Sequence, residues 1–153
     1  MKRLFYIFFC VFFFFGCRTS ASLVKKEKAK SYVEEGTALL KKGDTVEAIK
    51  VFQGAMLQKP KDPRPAYILG QLFMQFARYH DASRYFQKAI TIEPENGEAY
   101  LLLGGCFDLE GRKTEAILSV RKSAQIFKKK NDKENLKESL MVLRQLLASA
   151  RTP

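Results

Sequence analysis

Residues 63–96, PRPAYILGQLFMQFARYHDASRYFQKAITIEPEN, and residues 97–130, GEAYLLLGGCFDLEGRKTEAILSVRKSAQIFKKK, decide the fold. Laid one above the other, they place Gly70 over Gly104, Phe73 over Phe107, Ala82 over Ala116, Phe86 over Val120 and Ala89 over Ser123. Residues 29–62, AKSYVEEGTALLKKGDTVEAIKVFQGAMLQKPKD, carry the same register with Gly36, Leu39, Ala48, Phe52 and Ala55. Pro60 and Pro94 close the first two units, and Lys128 stands at that place in the third. Such a period marks stacked supersecondary units, none of which can bury its apolar face alone.

The columns predict two antiparallel helices per unit. Gly36 and Ala48 lie where the two helices come closest, so a larger side chain there would push them apart. Leu39 and Phe52 fill the space beside them. Pro60 cannot continue a helix and disfavours helical geometry at Lys59 before it. Short turns around Lys42-Gly43-Asp44 and Glu110-Gly111-Arg112 join the paired helices, with glycine taking a left-handed conformation at little cost.

The order of Gly, aromatic, Ala, Phe, Ala and Pro at this period resembles the tetratricopeptide repeat (TPR). The units are 29–62, 63–96 and 97–130. Glu35 stands where the family usually has Leu, and Ala66 where it has a large aromatic. The third unit has softer columns at Val120 and Ser123. The resemblance implies an all-α fold: a right-handed superhelical stack of three TPR helix pairs, followed by a C-terminal capping helix.

It also implies a partner-binding groove, because such folds hold a segment of a partner protein on the concave face lined by the first helix of each unit. Lys30, Val33, Thr37 and Lys41 of the first unit match that face. Arg64, Tyr67, Gln71, Met74 and Gln75 of the second match it, as do Glu98, Leu101, Gly105 and Asp108 of the third. Tyr67, Met74 and Leu101 make its middle apolar and adaptable. The best-known TPR clamp for a carboxyl terminus uses Lys, Asn and Arg at set places. Val33 and Thr37 occupy the matching places here, so that clamp is absent.

Residues 131–153 leave the pattern. Leu136, Leu140, Leu143 and Leu147 recur at helical spacing, with Lys133, Lys137, Glu138 and Arg144 around them. This predicts an end helix that turns its leucine stripe to the last repeat and a polar face to water. Asn131, with Glu134 three residues later, reads as its start.

The amino terminus, MKRLFYIFFCVFFFFGC over residues 1–17, has the layout of a secretory signal. Lys2 and Arg3 precede an apolar run from Leu4 to Phe15, and Arg18 ends it. At about 1.5 Å per residue that run reaches roughly 18 Å, short of a hydrocarbon core of roughly 30 Å. Gly16-Cys17 directly after it resembles the bacterial lipoprotein signal, although Phe14 and Phe15 stand where an aliphatic and a small residue are usual. The resemblance implies removal of residues 1–16, a lipid on Cys17 and a tether over 17–28. Cys10 would be discarded with the signal. Cys106 then remains as a lone thiol that reads as a small buried hydrophobe.

Removal of Lys2 and Arg3 takes the formal net charge from +11 to +9. The aromatics fall in repeat-core columns rather than among the Lys and Arg residues, which argues against nucleic acid. His80 is the only histidine, and no metal-ligand spacing or phosphate-binding glycine loop accompanies it. No enzyme, cofactor or metal is therefore expected. The leading expectation is a lipid-anchored TPR adaptor or assembly factor of the cell envelope. Its domain would lie in the periplasm, on the outer rather than the inner membrane, with a protein segment in its groove. A basic surface for polyanions or membranes, using Lys25, Lys26, Lys28, Lys30 and Lys128-Lys129-Lys130, is the alternative. A further one is an adaptor that keeps its amino-terminal anchor. Whether two copies pair through exposed repeat ends is left open by the sequence.

Overall fold

The computed structural model describes residues 32–150. The signal segment, Cys17, the tether and Lys30 lie outside them. The chain divides between Val51 and Phe52 into two compact units, each described here by itself.

In the first unit, α1 covers residues 32–42 and α2 begins at Thr45. Gly43 takes φ +86° between them. Its N–H donates to the Leu40 carbonyl and that of Asp44 to the Leu39 carbonyl, both at 3.0 Å. Gly36 and Ala48 are buried, as their columns predict. Glu35, in a column where Leu69 and Leu103 are buried, is exposed.

Helix α2 runs Thr45–Gln58. The second unit continues with α3 (Arg64–Gln75), α4 (Tyr79–Ile92), α5 (Gly97–Leu109), α6 (Lys113–Lys129) and α7 (Lys133–Ser149). The described residues contain no strand. Helix α3 packs on α4, α5 on α6, α4 on α5 and α6 on α7. Ala82 and Ala116 are fully buried, as are Phe86, Val120, Ala89 and Ser123. The predicted columns are thus the core. A Cβ on Gly70 would lie 2.7 Å from the Phe86 ring, and one on Gly104 would lie 2.5 Å from Val120 Cγ2. Only glycine lets the paired helices approach this closely.

Helices α2 and α4 stop two residues before Pro60 and Pro94. Lys128 removes that block, and α6 runs to 17 residues against 14 for α4. The turn after each first helix follows one design. Arg78 N–H reaches the Phe73 carbonyl at 2.9 Å and Arg112 N–H the Phe107 carbonyl at 2.8 Å, six-residue closures over a left-handed residue. That residue is Gly111 in one turn and Ala77, at φ +55°, in the other. Each arginine folds back over the phenylalanine whose carbonyl it binds, 4.7 Å from the Phe73 ring and 4.1 Å from the Phe107 ring. A cation–π contact takes the place of the apolar contact that usually seals this turn.

Two expectations for the carboxyl end are corrected. Asn131 does not start α7. It adopts φ +56°, closing α6, and the Asp132 carboxylate caps α7 by accepting from Asn135 N–H at 3.1 Å. Asn tolerates the left-handed region well, and Asp is a strong N-cap. Second, the leucine stripe does not form the buried face of α7. Ser139 and Leu146 are buried, Leu136, Leu143 and Leu147 are half-buried, and Leu140 is 50% exposed. The face against α6 lies one residue round from the stripe, because two small side chains, Ser123 and Ser139, meet there and set the helix rotation.

Candidate functional site

A helix turns about 100° per residue. Gly70 and Gly104 face their second helices, so Gln71 and Gly105 look away from the paired core. Tyr67, Gln71 and Met74 on α3, and Leu101, Gly105 and Asp108 on α5, recur at spacings of four and three and share that outer face of each first helix. A Cβ on Gly105 would meet nothing within 4 Å, so the backbone there is open to an incoming group.

Tyr67 joins the two helices. Its ring packs edge-on against Phe86, with centroids 5.8 Å apart. Its hydroxyl accepts from Gln71 Nε2 at 3.3 Å and bonds to the Glu98 carboxylate on α5. Burial, reinforced by that carboxylate, raises its pKa well above the ordinary tyrosine range, and the hydroxyl serves as a donor. The face therefore combines a fixed phenol with half-buried Met74 and Leu101 and the open backbone at Gly105.

Other predicted groove residues have their polar groups engaged elsewhere. Arg64 donates from Nε and Nη2 to Asp62 at 2.9 and 2.6 Å, and holds that carboxyl below its usual range. Asp108 accepts from Lys113 Nζ at 2.5 Å, and the same ammonium donates to Ser149 Oγ at 3.3 Å, tying the end of α5 to α6 and α7. Gln75 and Glu98 are exposed. Val33, Thr37 and Lys41 lie on α1 in the first unit, where the Thr37 hydroxyl donates to the Val33 carbonyl at 2.8 Å. The Tyr67–Glu98 bond and the Asp108–Lys113 pair were not anticipated, because they depend on how neighbouring helices register.

His80 and Cys106 stand near one carboxylate. Glu110 Oε2 accepts from Arg112 Nη1 at 2.9 Å and lies 3.9 Å from His80 Nδ1. Burial, with the charge of Glu110 adding to it, pushes the Cys106 thiol up to about 11. A thiol so held is neutral near pH 7 and a poor nucleophile. Cys106 is fully buried, as its reading as a small hydrophobe requires.

The tetratricopeptide-repeat family model matches residues 67–130. Among known proteins, the BBSome complex member BBS4 of Bos taurus is 28% identical over 81 residues, 53% of this chain. The match spans only 16% of that protein's length. Among solved structures, PcrH in complex with the chaperone binding region of PopD has a TM-score of 0.74 at 13% identity, covering 82% of this chain and 95% of that one. The TPR2B domain of yeast Sti1, in its complex with pHsp70, has a TM-score of 0.72 at 17% identity, covering 80% and 98%. At such identities the likeness is one of fold.

Proposed function

We propose that this chain of tetratricopeptide repeats is a non-enzymatic interaction module, and that the outer face of its first helices holds a segment of a partner protein. The observation that carries this reading is a rigidly held ring beside adaptable apolar surface: Tyr67, fixed by Gln71 and Glu98, next to Met74, Leu101 and the open backbone at Gly105. A partner side chain over Gly105 would contact backbone directly. PcrH and Sti1, which share the fold, are each seen with a partner polypeptide. The amino-terminal pattern adds the setting. With lipid on Cys17 and residues 18–28 as tether, the module would sit in the periplasm, anchored at the outer membrane, and act as an adaptor or assembly factor. Such an anchor works through local concentration.

The test is cross-linking in cells and affinity recovery from the membrane fraction, at low and high salt. Wild type is compared with Tyr67→Ala/Leu101→Ala. A discrete protein recovered with wild type and lost with the double variant is the expected result. Recovery that ignores the substitutions but collapses with salt would replace this reading with the polyanion one. An intact mass beginning at a lipidated Cys17 is expected, and one beginning at Met1 would overturn the lipid anchor. Lys128-Lys129-Lys130 give the polyanion reading little support. Lys129 Nζ lies 3.3 Å from Glu95 Oε1, and Lys130 Nζ donates to the Glu95 carbonyl at 2.6 Å.

A further inference from the structure

A second cleft is lined by residues of α2, α3 and α4, none of which belongs to the Tyr67 face. Phe73 and Tyr85 stack with their rings parallel, 5.2 Å between centroids, and are among the residues that line this cleft of about 190 Å³. Arg78 covers Phe73 and is neutralised by Asp81, whose Oδ2 accepts from Arg78 Nε at 2.8 Å. Arg84 and Lys88, one turn apart on α4, reach the same cleft. Neither has an acidic partner among the described residues, and Lys88 Nζ rests 5.3 Å from the Tyr85 ring. The Tyr85 hydroxyl accepts from Gln53 Nε2 at 3.1 Å and keeps its own proton to donate. Three donors thus line one cleft whose carboxylate, Asp81, is engaged by Arg78, and two like charges at this helical spacing repel until an anion joins them.

Lys88 also borders the next depression, of about 320 Å³. This one is apolar. Met56, Leu57, Pro60 and Ile92 line it together with Lys59, Thr91 and Asp62, whose carboxylate is held by Arg64, and Leu57 is 85% exposed, more than any other exposed large hydrophobic side chain among the described residues. A cationic cleft and an apolar one therefore share a wall at a single lysine.

We propose that this double cleft docks an acidic polypeptide segment in which a large apolar side chain adjoins an Asp or Glu. The apolar side chain covers Leu57 between Met56 and Ile92. The carboxylate bridges Lys88 and Arg84 and accepts from the Tyr85 hydroxyl. Charge complementarity selects the sign of the ligand, and the apolar neighbour separates a peptide from a simple polyanion. The surface uses none of the residues of the Tyr67 face, so the chain can hold two segments at once.

The test uses the full-length chain in detergent and fluorescence anisotropy with three labelled peptides: one of alternating Leu and Glu, one of Leu and Gln, one of Ser and Glu. The Leu–Glu peptide is expected to bind at least tenfold tighter than either other. Arg84→Glu/Lys88→Glu should weaken it at least tenfold and Leu57→Ser several-fold. All three substitutions lie at exposed positions, and unchanged melting curves will show that the fold is kept. Tyr67→Ala/Leu101→Ala should leave the affinity unchanged, which separates this surface from the proposed groove. Equal binding of the Leu–Gln or Ser–Glu peptide overturns the proposal, as does loss with the Tyr67/Leu101 variant. Vesicles of anionic phospholipid that compete through Arg84 and Lys88 would assign the surface to a membrane and overturn it as well.

Discussion

Ser123 and Ser139 face each other across α6 and α7 with their hydroxyl oxygens 2.9 Å apart, both buried. The Ser139 hydroxyl also donates to the Asn135 carbonyl at 2.9 Å. Its one proton is then committed, so it accepts from Ser123. The departure at position 123 from the alanine of the first two repeats is thereby explained: the third repeat meets α7 through a hydroxyl pair.

Ser139→Ala removes the acceptor and leaves the Ser123 hydroxyl buried, at an expected cost of about 1–2 kcal/mol. Ser123→Ala/Ser139→Ala should cost less than the sum of the two single changes, because the double variant leaves no polar group stranded. Denaturant melts of all four proteins measure the coupling. Strict additivity would show that the pair contributes nothing as a pair.

Adjacent glycines should respond with opposite sign. A Cβ at Gly104 meets Val120 Cγ2 at 2.5 Å and the Ala116 carbonyl oxygen at 3.1 Å, so Gly104→Ala should destabilise by about 1–3 kcal/mol. A Cβ at Gly105 meets nothing, and Gly105→Ala should stabilise by up to about 1 kcal/mol through helix propensity. The same methyl would fill the open backbone of the proposed groove, so partner recovery should fall while stability rises. Thermal melts and affinity recovery together check both halves.

Ala77 occupies the left-handed place that Gly43 and Gly111 take in the other repeats. Ala77→Gly relieves that strain, and the gain exceeds the extra freedom given to the unfolded chain. The midpoint of chemical unfolding should rise, by the equivalent of about 0.5–1 kcal/mol. A lower midpoint would mean that the turn holds no strain.

Burial, with the Glu110 charge adding to it, pushes the Cys106 thiol up to about 11. The folded state then binds its proton more tightly than the unfolded one. Stability from this group is complete below about pH 9 and declines as pH rises towards 11. Tyr67 acts with the same sign from pH 10 upward. Cys106→Ala should flatten the fall between pH 9 and 11, measured as unfolding midpoint against pH. Alkylation by iodoacetamide at pH 8 should be negligible in the folded protein and rapid in denaturant.

Repeat columns were legible because each side chain in them meets its own unit in the same way every time. Gly70, Ala82, Phe86 and Ala89 reappear as Gly104, Ala116, Val120 and Ser123, and all are buried. Chain ends were less legible. The leucine stripe of α7 signals a helix, but periodicity names several neighbouring faces almost equally, and only the Ser123–Ser139 contact fixed which one turned inward. In the candidate face, positions were readable from the repeat register, while partners were not. Arg64 and Asp108 are taken up by Asp62 and Lys113, and Tyr67 by Glu98.

The sequence by itself therefore determined the period, the all-helical class, the close-packed glycine and alanine contacts and the places where proline ends a helix. These follow from local sterics and from apolar spacing within one unit. Tertiary structure alone decided the rotation of α7, the Tyr67–Glu98 link and the shared wall at Lys88 between a cationic and an apolar cleft. Each of those requires side chains from different helices to arrive within a few ångströms, a distance that no spacing along the chain encodes.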